Sequence, residues 1–299
     1  MAVRVVSALE ASIGVAVPLQ MVMTDPTPSS IAERLSSADR QRDEALDVVF
    51  PIRTAGEGRP LFCIHPIVGL AWCYTGLTSR IDSDRPIYGL QSPAINGEDP
   101  LPASIDDFAA RYVGEIRRIQ PRGPYELLGW SLGGVLAHAV AVQLQAAGHE
   151  VATVVMLDSY AHQPDPRDTE MPVSVSDLLS GIGVDADVPA AVADMTPESA
   201  VDLLAATGSP TAVLTREQLQ GLIEGAAHNC ALLDHHTPGV FRGDVAFFTA
   251  GRDDPTGSAA AASWEPYVAG AVRNRIVDST HWHMTSAAVL RVVGASSRR

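Results

Sequence analysis

The run Gly129-Trp130-Ser131-Leu132-Gly133, with Gly134 directly after it, has the spacing of a nucleophilic serine. A serine hydroxyl can attack an acyl carbon when the chain holds it out on a sharp strand-to-helix turn. Glycines two before and two after it let the strand and the helix pass close together. The five-residue pattern is short and also arises as a glycine-rich turn with an incidental serine, so its surroundings decide its meaning. Residues 125–129 (YELLG) read as a strand and residues 132–147 as a nearly all-apolar helix, which supplies the strand, turn and helix that the chemistry needs.

Serine is a weak nucleophile without a base to take its proton. Nine histidines are present, and chain order sorts them. In an α/β-hydrolase the order is serine, acid, histidine, with the histidine on the loop after the last strand. His281 and His283 fit, because strand-like NRIVDS (274–279) ends just before them. His65 precedes the serine, and His138 lies on the apolar helix, where a satisfied core imidazole is the ordinary role. His228, His235 and His236 lack the carboxylate or cysteine spacing of a metal site, so no metal is expected. For the acid, Asp158 ends VATVVML (151–157), while Asp253 and Asp254 follow DVAFFTA (244–250). All three stand at the carboxyl end of a strand, from which a side chain reaches a site above the sheet, and spacing does not separate them.

The oxyanion formed by attack needs two backbone N–H groups aimed at one point. Leu132, at a helix N-terminus, offers one. The loop His65-Pro66-Ile67-Val68-Gly69 offers the other; Pro66 has no N–H, so Ile67 is the nearest donor beyond it.

A scaffold for these groups is legible from Val48 onward, where strands and helices alternate. LFCIH (61–65) is followed by a helix around 71–80, PIYGL (86–90) by a helix that Ser104 and Asp107 cap, with Ile105, Phe108, Tyr112, Ile116 and Ile119 on one face. Then come YELLG, the apolar helix and VATVVML. This predicts a mostly parallel sheet with helices on both faces, an α/β architecture. The alternation breaks over residues 163–240, where helical pieces are expected near 174–181, after Thr196-Pro197 and from Thr215 with Gln218 as capping partner. A long helical insertion between strands of one sheet reads as a mobile lid over Ser131. Strands at 244–250 and 274–279 resume the sheet, and a last helix follows from about Met284.

Residues 1–37 form a separate part. Val3, Val6, Leu9 and Ile13 recur at helical spacing, and Thr27 can cap a helix that begins at Pro28. Two short helices cannot enclose a core alone, so they are expected to pack on something else or to be partly mobile. Residues 38–47 are charged and read as a linker, leaving 48–299 as the main domain.

Composition narrows the function classes. The 21 Lys and Arg against 35 Asp and Glu leave a formal charge of −14, which repels phosphate backbones and anionic lipid; neither nucleic acid nor membrane is an expected partner. The opening 19 residues carry Glu10 and lack a basic start, so they read as an amphipathic helix and not a signal peptide. Three cysteines without a C-x-x-C pair fit reduced thiols in a cytoplasmic protein.

Longer blocks carry a resemblance. PLFCIHPIVGLAWCY, PIYGLQSP, GPYELLGWSLGGVLAHAVA, MLDSY and HWHM together resemble the C-terminal thioesterase domain of a nonribosomal peptide synthetase, from about Val48 to the end. ALEASIGVAVPL and DPTPSSIAERL, within residues 1–37, resemble the second half of a peptidyl carrier domain. The resemblance implies the α/β-hydrolase fold and an acid after the strand that follows the nucleophile, which is Asp158, 27 residues beyond Ser131. It also implies an H-x-x-M block, which His281-Trp282-His283-Met284 satisfies with His281 as the base. Ser279-Thr280 depart from the small residues usual before that block, and the carrier's phosphopantetheine serine motif has no match here.

The function implied is release of a peptidyl chain from a carrier-bound phosphopantetheine thioester through an acyl-Ser131 intermediate, by hydrolysis or macrocyclisation. No tightly bound cofactor is expected, since the pantetheine arm arrives with the substrate. The upstream carrier domain is the expected partner of a monomeric domain. A stand-alone editing thioesterase, a small-molecule esterase and a non-catalytic docking module are the competing readings.

Overall fold

In a computed structural model of the chain, residues 46–81, 84–93, 100–161, 216–257 and 259–296 are described, with scattered positions before residue 46. Among the described residues seven strands form one sheet: β1 (Val49–Arg53), β2 (Leu61–Ile64), β3 (Ile87–Leu90), β4 (Tyr125–Trp130), β5 (Val151–Leu157), β6 (Val245–Ala250) and β7 (Val272–Val277). Their order is β1-β3-β2-β4-β5-β6-β7. Only β1 runs antiparallel to its neighbour, β3; the other pairs are parallel. This is the mostly parallel α/β sheet that the alternation predicts.

Alternate strand residues serve opposite faces, as a pleated strand buried on both sides requires. Phe62, Ile64, Leu127 and Met156 pack with α1 (Ile105–Ile119) and α2 (Leu132–Ala146). Leu61, Cys63, Leu128, Val155 and Leu157 pack instead with the 3-10 helix Trp72–Ser79 and the final helix. Helix α1 begins where expected: the Ser104 hydroxyl accepts from the Asp107 N–H at 3.1 Å. Asp106 and Asp107 in its first turn and Arg117 and Arg118 in its last complement the helix dipole.

Three features differ from the sequence reading, the first being that β7 lies at Val272–Val277, two residues before the 274–279 expected. Strand β1 has no counterpart in that reading, because Pro51 interrupts the run; the sheet tolerates a proline there since β1 is an edge strand. The last helix starts at Ala287 and not near Met284, because His281–His283 form a 3-10 turn first.

Of residues 163–240, the described part is the helix α3 (Arg216–His235) and the segment after it. It matches the helix expected from Thr215; the pieces expected near 174–181 and after Thr196 lie outside the described residues. A four-residue helix, α4 (Ala259–Ala262), precedes β7, and α5 (Ala287–Ser296) closes the chain. Among the early positions, Ile31 N–H donates to Thr27 O, the first turn of the helix begun at Pro28. Val6 and Ile31, one from each expected stripe, are buried with Val17, Val22 and Leu46 in the same apolar cluster as Phe50 and Ile52.

Candidate active site

The sheet order reverses at β2: β3 lies on one side of it and β4 on the other. At such a switch point the loops leaving the strands diverge and open a crevice at their carboxyl ends. Ser131 leaves β4 at that point, and the loop carrying Ile67 leaves β2.

Ser131 has φ 56 and ψ −125, a backbone conformation that costs a non-glycine residue on the order of 1–3 kcal/mol. Tight local packing holds it there. A Cβ on Gly129 would lie 1.9 Å from the Gly133 carbonyl oxygen, and one on Gly133 would lie 2.3 Å from that of Ile64. The two glycines of the motif are therefore dictated by strand, turn and helix crossing at contact distance. Among the described residues the other non-glycine position with positive φ is Asp158, at 43°. The two strained residues stand side by side, because Trp130 pairs with Leu157 across β4 and β5. Ser131 N–H donates to Leu157 O at 3.0 Å and Asp158 N–H to Phe248 O at 2.8 Å, so the ladder fixes both residues one step beyond the strands.

His281 joins them from the loop after β7. Its Nδ1 lies 2.7 Å from Asp158 Oδ2, and its Nε2 lies 3.2 Å from Ser131 Oγ. A carboxylate can only accept, so Nδ1–H donates to Asp158, which leaves Nε2 free to accept from the serine hydroxyl. The other oxygen of the buried Asp158, Oδ1, accepts from the Ala250 N–H at 2.9 Å. Trp130 and Trp282 flank the His281 ring at centroid distances of 5.6 and 5.2 Å. Burial, and after it the negative field of Asp158, Asp254 and Asp253, pushes the neighbouring Tyr160 phenol up to about 12.

The alternatives left open by the sequence fall elsewhere. Exposed His283 meets Thr280 Oγ1 at 2.8 Å. Asp253 accepts from the His281 backbone N–H, and Asp254 binds its own turn through the N–H groups of Thr256, Gly257 and Ala259. Neither carboxylate meets the imidazole. His228 Nε2–H donates to Pro102 O and His235 Nδ1–H to Ala231 O. Among the described residues no group of three His, Cys, Asp or Glu side chains could hold a metal ion.

Leu132 opens α2, so its N–H is an unpaired first-turn donor beside Ser131. The loop of Ile67 is fixed through its carbonyls. Pro66 O accepts from Gly69 N–H and from His65 Nδ1–H, Ile67 O from Asn229 Nδ2 at 2.9 Å, and Gly69 O from Ser92 N–H. The Ile67 N–H has no backbone acceptor among the described residues. Asn229, on α3, ties the last helix of the insertion to this loop. Nothing in the sequence marks it, because the contact spans 162 residues.

His65 and His138 are buried core imidazoles. Burial lowers each from 6.5 to about 4, although each also donates to a carbonyl, Pro66 O or Tyr267 O. The folded chain keeps both neutral where the unfolded chain would protonate them. Their contribution is thus complete above pH 6.5 and is lost as pH falls towards 4, roughly 3 kcal/mol for each. Urea unfolding compared above pH 6.5 and midway towards 4 should show about half of this loss. A His138→Phe variant should show about half the slope, and a flat profile in the wild type would contradict the assignment.

Fold and site together define a serine hydrolase built on the α/β-hydrolase fold. The chain belongs to the thioesterase domain family, whose model matches residues 59–297. It is 36% identical, over 98% of its length, to a dimodular nonribosomal peptide synthase of Bacillus subtilis strain 168, of which it covers 12%. It is similar in structure to the NocB thioesterase domain from the nocardicin cluster, with TM-score 0.58 and 26% identity, covering 82% of this chain and 94% of that one. It also shares the fold of part of a four-domain nonribosomal peptide synthetase bound to AMP and glycine: TM-score 0.71, 21% identity, 99% of this chain and 23% of the larger one. The chain thus spans a small part of the synthetases it matches. Among the described residues no helix is long and apolar enough to cross a membrane.

Proposed function

We propose that this domain releases a peptidyl chain from a carrier-bound phosphopantetheine thioester in nonribosomal peptide assembly, through an acyl-Ser131 intermediate. The observation that carries the reading is the relay from Asp158 through His281 to Ser131, at 2.7 and 3.2 Å. His281 Nε2 takes the Ser131 proton as Oγ adds to the thioester carbonyl, and Asp158 holds the imidazole in the tautomer that can accept it. The oxyanion lies between the N–H groups of Ile67 and Leu132. Collapse breaks the carbon–sulfur bond, and the pantetheine sulfur leaves with the proton from His281. Water, or an amine or hydroxyl of the peptide itself, then gives its proton to His281 and attacks the acyl-serine, and Ser131 recovers its proton as it leaves.

In this reading residues 48–299 are the catalytic domain and 38–47 a linker. Residues 163–240 act as the lid that governs access of water or an internal nucleophile. Residues 1–37 belong to the carrier that delivers the substrate; similarity to a synthetase over 98% of the chain, well upstream of residue 59, supports this. The domain needs no resident cofactor, because the pantetheine arm comes with the acyl group, and it works as a monomer in the cytoplasm.

Synthetic peptidyl-pantetheine thioesters provide the test. Mass spectrometry should show free acid or ring accumulating, with an acyl adduct on Ser131 in the first turnovers. Cleavage of simple oxoesters with thioesters left intact would support an esterase instead. Failure of a fluorophosphonate to label Ser131 would leave only a docking role.

A further inference from the structure

We infer that Tyr74 is a positioning residue for this reaction: its hydroxyl, inserted between Ile64 and Trp130 at the ends of β2 and β4, sets the spacing between the oxyanion loop and the nucleophile. The inference rests on the roles proposed above for Ser131 and Ile67.

Tyr74 lies in the 3-10 helix between β2 and β3 and is fully buried. Its hydroxyl donates to Ile64 O at 2.8 Å and accepts from the Trp130 N–H at 2.8 Å. Strand register explains the weight of this pair. Ile64 pairs with Gly129, and the His65 N–H already turns to β3, where it donates to Leu90 O. Successive residues of a strand direct their N–H and C=O groups to opposite sides, so the Ile64 carbonyl faces β4. The next rung of the ladder should therefore be a direct bond from Trp130 N–H to Ile64 O.

Tyr74 stands at that rung, where its hydroxyl takes both the Ile64 carbonyl and the Trp130 N–H. A donor and an acceptor that meet one hydroxyl oxygen at a roughly tetrahedral angle, each 2.8 Å from it, lie about 4.5 Å apart, against about 2.9 Å for a direct bond. The strands are held apart by a hydroxyl at the point where their loops must diverge. The residues on either side are the ones that matter: Trp130 precedes Ser131, and Ile64 leads through His65 and Pro66 to Ile67. The Gly133 turn of α2 leans on the same Ile64 carbonyl, while Ser131 itself is tied to β5 through Leu157 O. Without the wedge, β4 and β2 can close by forming the direct rung. The two oxyanion donors would then no longer converge on a carbonyl bound at Ser131. Burial holds the phenol well above its ordinary range, so the proton that Ile64 O needs stays on the oxygen.

The test is Tyr74→Phe in the full chain, which keeps the ring and removes the wedge. The rate per active site, titrated with fluorophosphonate, should fall about 10- to 100-fold, the loss that follows a misplacement on the order of 1 Å. KM should stay within about twofold, since ground-state binding does not use the oxyanion donors. Affinity for a peptidyl boronic acid, whose oxygen occupies the oxyanion position, should fall in parallel with kcat. A lower Tm with unchanged kcat per titrated site and unchanged boronate affinity would overturn the proposal and leave Tyr74 a packing residue. Should Tyr74→Phe not fold, 3-fluorotyrosine and 3,5-difluorotyrosine at position 74 keep the shape and change the hydrogen-bond strength. A graded change in kcat supports the wedge, and a flat series overturns it. Absence of wild-type labelling at Ser131 would instead sink the underlying catalytic reading.

Discussion

Replacing Ser131 with alanine is expected to lower kcat on a peptidyl-pantetheine thioester by on the order of 10⁴–10⁶, with Tm nearly unchanged. That loss corresponds to roughly 5–8 kcal/mol of transition-state stabilisation, several times the ~1 kcal/mol that a typical intramolecular hydrogen bond contributes to stability. The stability half follows from the backbone. Alanine keeps the Cβ that makes φ 56 costly, and the N–H bond to Leu157 O does not involve the side chain. Among the described residues the hydroxyl that is lost meets only His281, at 3.2 Å. Ser131→Gly is the informative companion: it is equally inactive, but free of the Cβ penalty it should be more stable than Ser131→Ala by up to about 1 kcal/mol. An alanine variant that kept a tenth of the wild-type rate would rule out covalent catalysis through this residue.

How the site is assembled explains which parts of it the sequence could disclose. Val151–Leu157 is legible to the residue because its last four residues, buried on both faces, are a continuous apolar run that ends at a charge. Ser131 is legible because the glycines around it are dictated by contacts within a few residues: Gly129 against Gly133 is a clash of four positions' separation. The choice between Asp158 and Asp253 is of another kind. Both carboxylates end neighbouring parallel strands, and both touch His281, one through the ring and one through the backbone. What separates them is where the loop after β7 folds down, a geometry that no local pattern encodes. Resemblance between longer blocks pointed to Asp158, which is the residue that meets the ring. Asn229 and Tyr74 were not foreseen for the same reason: each is an ordinary residue in its own helix, and its contact lies 162 or 56 residues away. Strand β1 was hidden by Pro51, a residue permitted there by its edge position alone.

The contrast between the two aspartates yields the second large expected effect. Asp158→Asn should cost about 10⁴ in kcat, whereas Asp253→Asn should cost only a few-fold. The bond from the Ala250 N–H to Oδ1 makes the first outcome specific. In an asparagine at 158 the carbonyl oxygen must stay on that buried donor, since turning the amide over would face N–H against N–H. Its NH₂ group then points at His281 Nδ1, 2.7 Å away in the wild type. A donor on Nδ1 forces the imidazole proton onto Nε2, where it faces the Ser131 hydroxyl and can no longer accept from it. The base is disabled without being displaced, so the variant should fold and bind substrate normally. Asp253 presents the opposite case: it accepts a backbone N–H, and an asparagine carbonyl can do the same with its amide turned outward. Asp254→Asn should disturb the turn to Ala259 and leave the rate alone, because among the described residues that carboxylate bonds only to the turn. Steady-state rates on one thioester for the three variants, with KM and Tm measured alongside, decide the matter. If Asp253→Asn were the slower enzyme, the imidazole would be oriented from β6 during turnover, and the Asp158–His281 pair would be a resting arrangement only.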